Sequence, residues 1–121
     1  MTHRRIFICD DDHEMGEVFR LILVKHGYDV VFEARCEETI ERIISLQPLM
    51  IFMNYQMVAH DPAEYVKLIK SNEKISHIPV ILFSAMNNIE ELAKKTHADG
   101  FLKKPFNIDE LIAMVNRYIH Q

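Results

Sequence analysis

The sequence predicts a doubly wound α/β fold, with five parallel strands in one sheet and five helices on its two faces. Three observations carry that expectation. Short apolar runs alternate five times with stretches of helical periodicity. The runs lack the apolar–polar alternation of a half-solvated strand, as strands covered on both faces do. Each run gives way to polar residues at its C-terminal end, which is where such sheets bind ligands.

The first run, 5–9, ends in Asp10, Asp11 and Asp12, and Asp12 is placed to cap the next helix. Over 13–26, Met15, Val18, Phe19, Ile22 and Leu23 recur at helical spacing, and Gly27 supplies the left-handed residue that commonly ends a helix. Residues 29–34 read as the second strand, and 36–46 as a helix with Ile40, Ile43 and Ile44 on one face before Gln47 and Pro48 break it. The third run, 49–53, stops at Asn54. Pro62 near a first helical turn, with Tyr65, Leu68 and Ile69 as its apolar face, predicts a helix over 62–71. Pro79 precedes a fourth strand, 80–83, with Ser84 directly after it. Asn88 three residues before Glu91, and Asn107 three before Glu110, are capping-box variants that open two more helices. Between them Asp99 and Gly100 turn into a short last strand through Phe101 and Leu102. The final helix, 108–120, is expected to bury Ile108, Leu111, Ile112, Val115 and Ile119.

At 121 residues, 49% apolar and 26% charged, the chain suits one globular domain over 1–121. Fourteen Lys and Arg against eighteen Asp and Glu leave a net charge of −4, so no global cationic field exists to hold nucleic acid or an anionic membrane. No apolar run approaches the ~18–20 residues of a membrane span. Cys9 and Cys36 read as two free thiols, and a cytoplasmic location is expected. Seven histidines are scattered without an i,i+4 pair, which argues against a zinc site. No Gly-x-Ser-x-Gly elbow is present and no histidine is placed to activate Ser84, so no enzyme is expected.

Doubly wound topology brings Asp10, Asp11, Asn54, Ser84 and Lys104 from distant parts of the chain to one crevice. Carboxylates and carbonyls suit a hard divalent cation, a hydroxyl can donate to a phosphoryl oxygen, and an ammonium can neutralise another. Asp10 and Asp11 would repel one another without compensation, for which Lys104 or a cation is the expected source. Asp12 reads as a helix cap, Asp61 as a turn residue. On its residues alone Ser84 reads as a strand-end hydroxyl bonded to backbone and Phe101 as core.

Three segments carry a family resemblance: Ile8-Cys9-Asp10-Asp11-Asp12, Ile78-Pro79-Val80-Ile81-Leu82-Phe83-Ser84-Ala85 and Gly100-Phe101-Leu102-Lys103-Lys104-Pro105-Phe106. Together they resemble the signature segments of response-regulator receiver domains of the chemotaxis, flavodoxin-like type. The resemblance implies the strand order 2-1-3-4-5 and a cis Lys104–Pro105 bond. It puts Asp10 and Asp11 at the family's acid pair, Ser84 at its switch hydroxyl, Phe101 at its switch aromatic and Lys104 at its active-site lysine. The family's phosphate-accepting aspartate would fall at Asn54, so the chain reads as an atypical member. A carboxamide is a poor nucleophile toward phosphorus. Val58, Ala59 and Pro62 also depart from the family's pattern, which favours a naturally degenerate receiver over an engineered block at Asn54 in a working phosphorelay receiver.

The resemblance, together with the carboxamide at position 54, implies a protein-interaction module of two-component signalling that does not accept phosphate. Mg²⁺, if held by Asp10, Asp11, Asn54 and Gln56, is expected to bind more weakly for want of one carboxylate. The implied partner is a sensor kinase or downstream regulator, docking on a face with Lys94, Lys95, Phe101, Lys103, Met114 and Tyr118. There Met114 and Tyr118 would extend the apolar arc of the last helix toward solvent. The same face would serve a homodimer equally well.

Overall fold

The structure, a computed structural model, describes residues 3–34, 39–56 and 61–119. In chain order the elements are β1 (Arg5–Cys9), α1 (His13–Lys25), β2 (Asp29–Glu33), α2 (Thr39–Leu46), β3 (Met50–Asn54), α3 (Pro62–Ser71), β4 (Val80–Ser84), α4 (Ile89–Thr96), β5 (Gly100–Lys103) and α5 (Ile108–Ile119). The strands form one parallel sheet in the order β2-β1-β3-β4-β5, as expected.

The continuous apolar runs have the cause the sequence suggested, since β3 and β4 are buried from end to end between two helical layers. Alternate strand residues feed opposite cores. Ile6, Ile8, Met50, Phe52, Ile81 and Phe83 face α1 and α5, where Phe19, Leu23, Leu111 and Val115 meet them. Phe7, Cys9, Ile51, Met53, Val80 and Leu82 face Ile43, Val66, Ile69, Ile89 and Ala93 of α2, α3 and α4. Phe19 sits at the centre of the first core, its ring 5.2 Å from that of Phe52 and 5.0 Å from that of Phe83.

Boundaries shift where pairing outlasts apolarity. Asn54 is the last residue of β3 rather than the first beyond it, because it still pairs in register with Phe83. Ser84 likewise belongs to β4, opposite Lys103. Leu49 falls outside the third strand and Ala34 outside the second. Cys36, Met57, Val58, Ala59, His60 and His120 lie outside the described residues.

Helix ends follow their caps. Asp12 accepts from the backbone N–H of Glu14 and Met15, Asp61 from that of Ala63, and Asn107 from that of Glu110 at 2.8 Å. Gly27 takes φ +90° just beyond α1. Asn88 departs from expectation, since its side chain makes no capping bond and its backbone is not in the extended cap conformation.

Three faces also depart. Val18 is exposed, and Gly16 takes the inward place because the Phe32 ring of β2 lies where a Cβ would stand, 2.3 Å away. On α3, Val66 is buried and Leu68 exposed. On α5, Ile108 is exposed, whereas Met114 and Tyr118 are half-buried against the α1–α5 core instead of projecting into solvent. The Lys104–Pro105 bond is cis.

Candidate functional site

The ends of β1, β3 and β4 bring together three buried polar residues: Asp10, Asn54 and Ser84. Burial without partners would cost each of them. Their side chains instead form a chain of hydrogen bonds across the sheet. The Asn54 Nδ2 group donates to Asp10 Oδ1 at 2.8 Å, and Asn54 Oδ1 accepts from the Gln56 backbone N–H at 3.0 Å. The Ser84 hydroxyl donates to Gln56 Oε1 at 2.8 Å and accepts from the Met86 N–H at 3.1 Å. Both neighbours fix the orientation of the carboxamide. Turned over, it would set its oxygen against a carboxylate and its N–H against an N–H.

Asp10 Oδ1 also accepts from the Asp12 N–H at 3.1 Å. Among the described residues its other oxygen, Oδ2, is buried without a hydrogen-bond partner. Burial pushes the Asp10 carboxyl above its ordinary value, and the charge of Asp11 adds to that. The bonds from Asn54 and Asp12 and the charge of Lys104 pull the other way. Asp11 itself is exposed.

Lys104 is thus close enough to act on Asp10 through space. It makes no ion pair with Asp10, however, and its ammonium lies 5.0 Å from the centre of the Phe83 ring. The compensation expected from the sequence therefore reaches Asp10 at a distance, without direct contact.

The donor set fits a hard cation in one respect and falls short in another. An orphaned, buried carboxylate oxygen on Asp10 beside the exposed Asp11 is a natural starting point for Mg²⁺. Yet among the described residues no three His, Cys, Asp or Glu side chains gather to hold a metal. The Gln56 side chain is turned to Ser84, a contact the sequence did not suggest.

At the other edge, α4, β5 and α5 enclose an open groove of about 560 Å³ whose lining includes Lys94, Phe101, Lys103, Met114 and Tyr118. Lys95 is not among them and lines the groove between α3 and α4. Tyr118 lies over Gly100, where an added Cβ would come within 2.8 Å of its hydroxyl oxygen, and that hydroxyl donates to the Asp99 carbonyl at 2.8 Å. Phe101 is half-buried against the α2–α4 core.

Known proteins share both the sequence pattern and the shape. Sensory transduction protein BceR of Halalkalibacterium halodurans is 25% identical over 119 residues, which are 97% of this chain and 50% of BceR. The chain spans about half the length of the first curated relatives it matches. The chemotaxis protein CheY4 of Vibrio cholerae superposes with a TM-score of 0.86 at 20% identity, covering 97% of this chain and 99% of that one. The receiver domain of the Pseudomonas aeruginosa sensor histidine kinase PA1611, solved with magnesium in its active-site cleft, superposes at 0.87 and 20% identity, covering 99% and 100%. The response regulator receiver domain family matches residues 6–116. That match runs from within β1 into α5 and takes in every element that builds the crevice, and the chain accordingly belongs to the response regulator receiver domain family, the signalling modules of two-component systems.

Proposed function

We propose that residues 1–121 work as a single, non-enzymatic receiver module that does not accept phosphate and signals by binding a partner protein. One observation carries this reading. The residue at the end of β3 is a carboxamide whose nitrogen donates to Asp10 and whose oxygen accepts from Gln56, so no carboxylate oxygen is presented for attack on phosphorus. Position 54 corresponds on this reading to the family's phosphoacceptor, Ser84 and Phe101 to its switch residues and Lys104 to its phosphoryl-contacting lysine. The Ser84 hydroxyl is occupied by Gln56 Oε1, a contact that stands in for a phosphoryl oxygen.

Mg²⁺ belongs to the same reading as a weak ligand. Asp10 and Asp11 would hold it with the carboxamide oxygen of Asn54 and with Gln56, and it would supply positive charge against the two carboxylates. One carboxylate fewer lowers its affinity. The partner is a sensor kinase or a downstream regulator, met on the α4–β5–α5 groove, and a homodimer on that groove is the competing occupant. A cytoplasmic address goes with such partners; no helix among the described residues is long and apolar enough to cross a membrane.

Incubation with radiolabelled acetyl phosphate and Mg²⁺ tests the central statement. The expected result is no stable label on this chain and acid-stable, hydroxylamine-labile label on Asn54→Asp. Mg²⁺-dependent label on the unaltered chain would sink the reading.

A further inference from the structure

Helix α1 carries a row of side chains that its own core does not use. Glu14, Val18, Leu21 and Lys25 are spaced by four, three and four residues, so they stand above one another along one side of the helix. All four are exposed, Val18 at 41% and Leu21 at 70%, while Gly16, Phe19 and Leu23 point into the core. Beside the row, Met15 and Val18 join Pro105 and Phe106 around an apolar hollow of about 360 Å³. A single exposed leucine needs no explanation. An ordered row of acid, apolar, apolar and base does.

Helix electrostatics account for part of it. Glu14 in the first turn and Lys25 in the last each offset the helix dipole. They leave the apolar middle unexplained, and among the described residues neither charge enters an ion pair, although Glu17 and Arg20 on the same helix do.

Such a row is complementary to itself run backwards. About a twofold axis crossing α1 midway between Val18 and Leu21, Glu14 meets Lys25 of the second copy and Val18 meets Leu21 of the second copy, because both pairs are centred on the same point. A twofold interface requires this self-complementarity of one patch. We propose that α1 is a homodimer surface on which two copies of this chain pack antiparallel through Glu14, Val18, Leu21 and Lys25. The surface is separate from the α4–β5–α5 groove. With 13 residues the helix is about 20 Å long, which places the contact among small interfaces and makes the dimer a weak, concentration-dependent one.

Sedimentation velocity of the whole chain, from micromolar to near-millimolar concentration, reads the association directly. The expected weight-average mass climbs from 14.3 kDa toward twice that value. Leu21→Asp should hold it at the monomer mass with an unchanged circular dichroism spectrum, since the Leu21 side chain is directed into solvent. Glu14→Lys and Lys25→Glu should each weaken association about fivefold or more. The double variant, and an equimolar mixture of the two single variants, should restore it, because each arrangement again sets acid against base at both ends. A mass fixed at 14.3 kDa at every concentration overturns the proposal and leaves the row to a helix of another protein. Association that survives Leu21→Asp overturns it as well, and so does failure of both the double variant and the mixture to recover.

Discussion

The crevice at the ends of β1, β3 and β4 and the edge made by α4, β5 and α5 are built by opposite means. In the crevice, the buried Asp10, Asn54 and Ser84, drawn from distant segments, are joined by hydrogen bonds in which the exposed Gln56 takes part: Asp10 with Asn54, Asn54 with the Gln56 backbone, the Gln56 side chain with Ser84. At the edge, Tyr118 lies over backbone bared by Gly100, and what matters is room. A change of one atom type, nitrogen for oxygen at position 54, alters the charge of the crevice without altering its shape. The edge is indifferent to such a change and sensitive to a single methyl group. Crevice stability should therefore respond to protons and cations, and edge stability should not.

Asn54→Asp gives the largest expected effect. It replaces a donor with a second carboxylate against the buried Asp10, and at neutral pH with chelator present it should lower folding stability by about 2–3 kcal/mol. Millimolar Mg²⁺ should return most of that loss and raise the unaltered chain by less. Urea titrations with and without Mg²⁺ measure both, and equal Mg²⁺ effects on the two chains would remove the electrostatic explanation.

Gly100→Ala should cost about 1–2 kcal/mol through its collisions with Tyr118 and Ile81, and the loss should be the same with chelator or Mg²⁺ and at every pH between about 5 and 8. A Mg²⁺-sensitive loss would mean that edge and crevice are coupled.

Asp10→Asn should raise Tm by about 2–5 °C at neutral pH, as it removes a charge whose burial is unfavourable. Between the ordinary value of 3.8 and the raised folded value, the folded chain keeps a proton that the unfolded chain has lost. The contribution of Asp10 to stability therefore falls as pH rises through that window and is a full penalty above it. The Tm advantage of Asp10→Asn should shrink on acidification. An advantage independent of pH would point to packing instead.

The smallest effect is expected from Tyr118→Phe. Losing one hydroxyl bond to the Asp99 carbonyl at a half-buried position should cost about 0.5 kcal/mol, readable as a shift in urea midpoint with unchanged slope.

Much of the fold was legible because parallel strands buried on both faces leave uninterrupted apolar runs, and residues 50–53 and 80–83 are such runs. Periodicity also says which residues share a side of a helix. It does not say what stands opposite. Val18 and Ile108 fit their helical stripes yet face solvent, and Gly16 turns inward only because Phe32 covers it, a contact made across 16 residues of chain. In the crevice, topology was enough to gather Asp10, Asn54 and Ser84. The direction of the Asn54 amide and the capture of Ser84 by Gln56 depend on side-chain geometry at a scale that spacing does not encode. Asn88 opens α4 as expected but makes no side-chain capping bond for the same reason, since that bond needs a backbone conformation as well as a residue type.

The hydrogen bond from the Tyr55 backbone N–H to the Phe83 carbonyl, 2.9 Å long, bears on how the chain ages. Asparagine turns into aspartate spontaneously when the next residue's backbone nitrogen attacks its side-chain carbon and closes a five-membered imide, which is why asparagine is counted among the heat-labile residues. At position 54 that nitrogen is committed to the sheet, and the side chain it would have to reach is held from both sides. The strand itself therefore opposes slow conversion of Asn54 to the acidic form, a change that would give an old molecule a crevice of different charge from a newly made one.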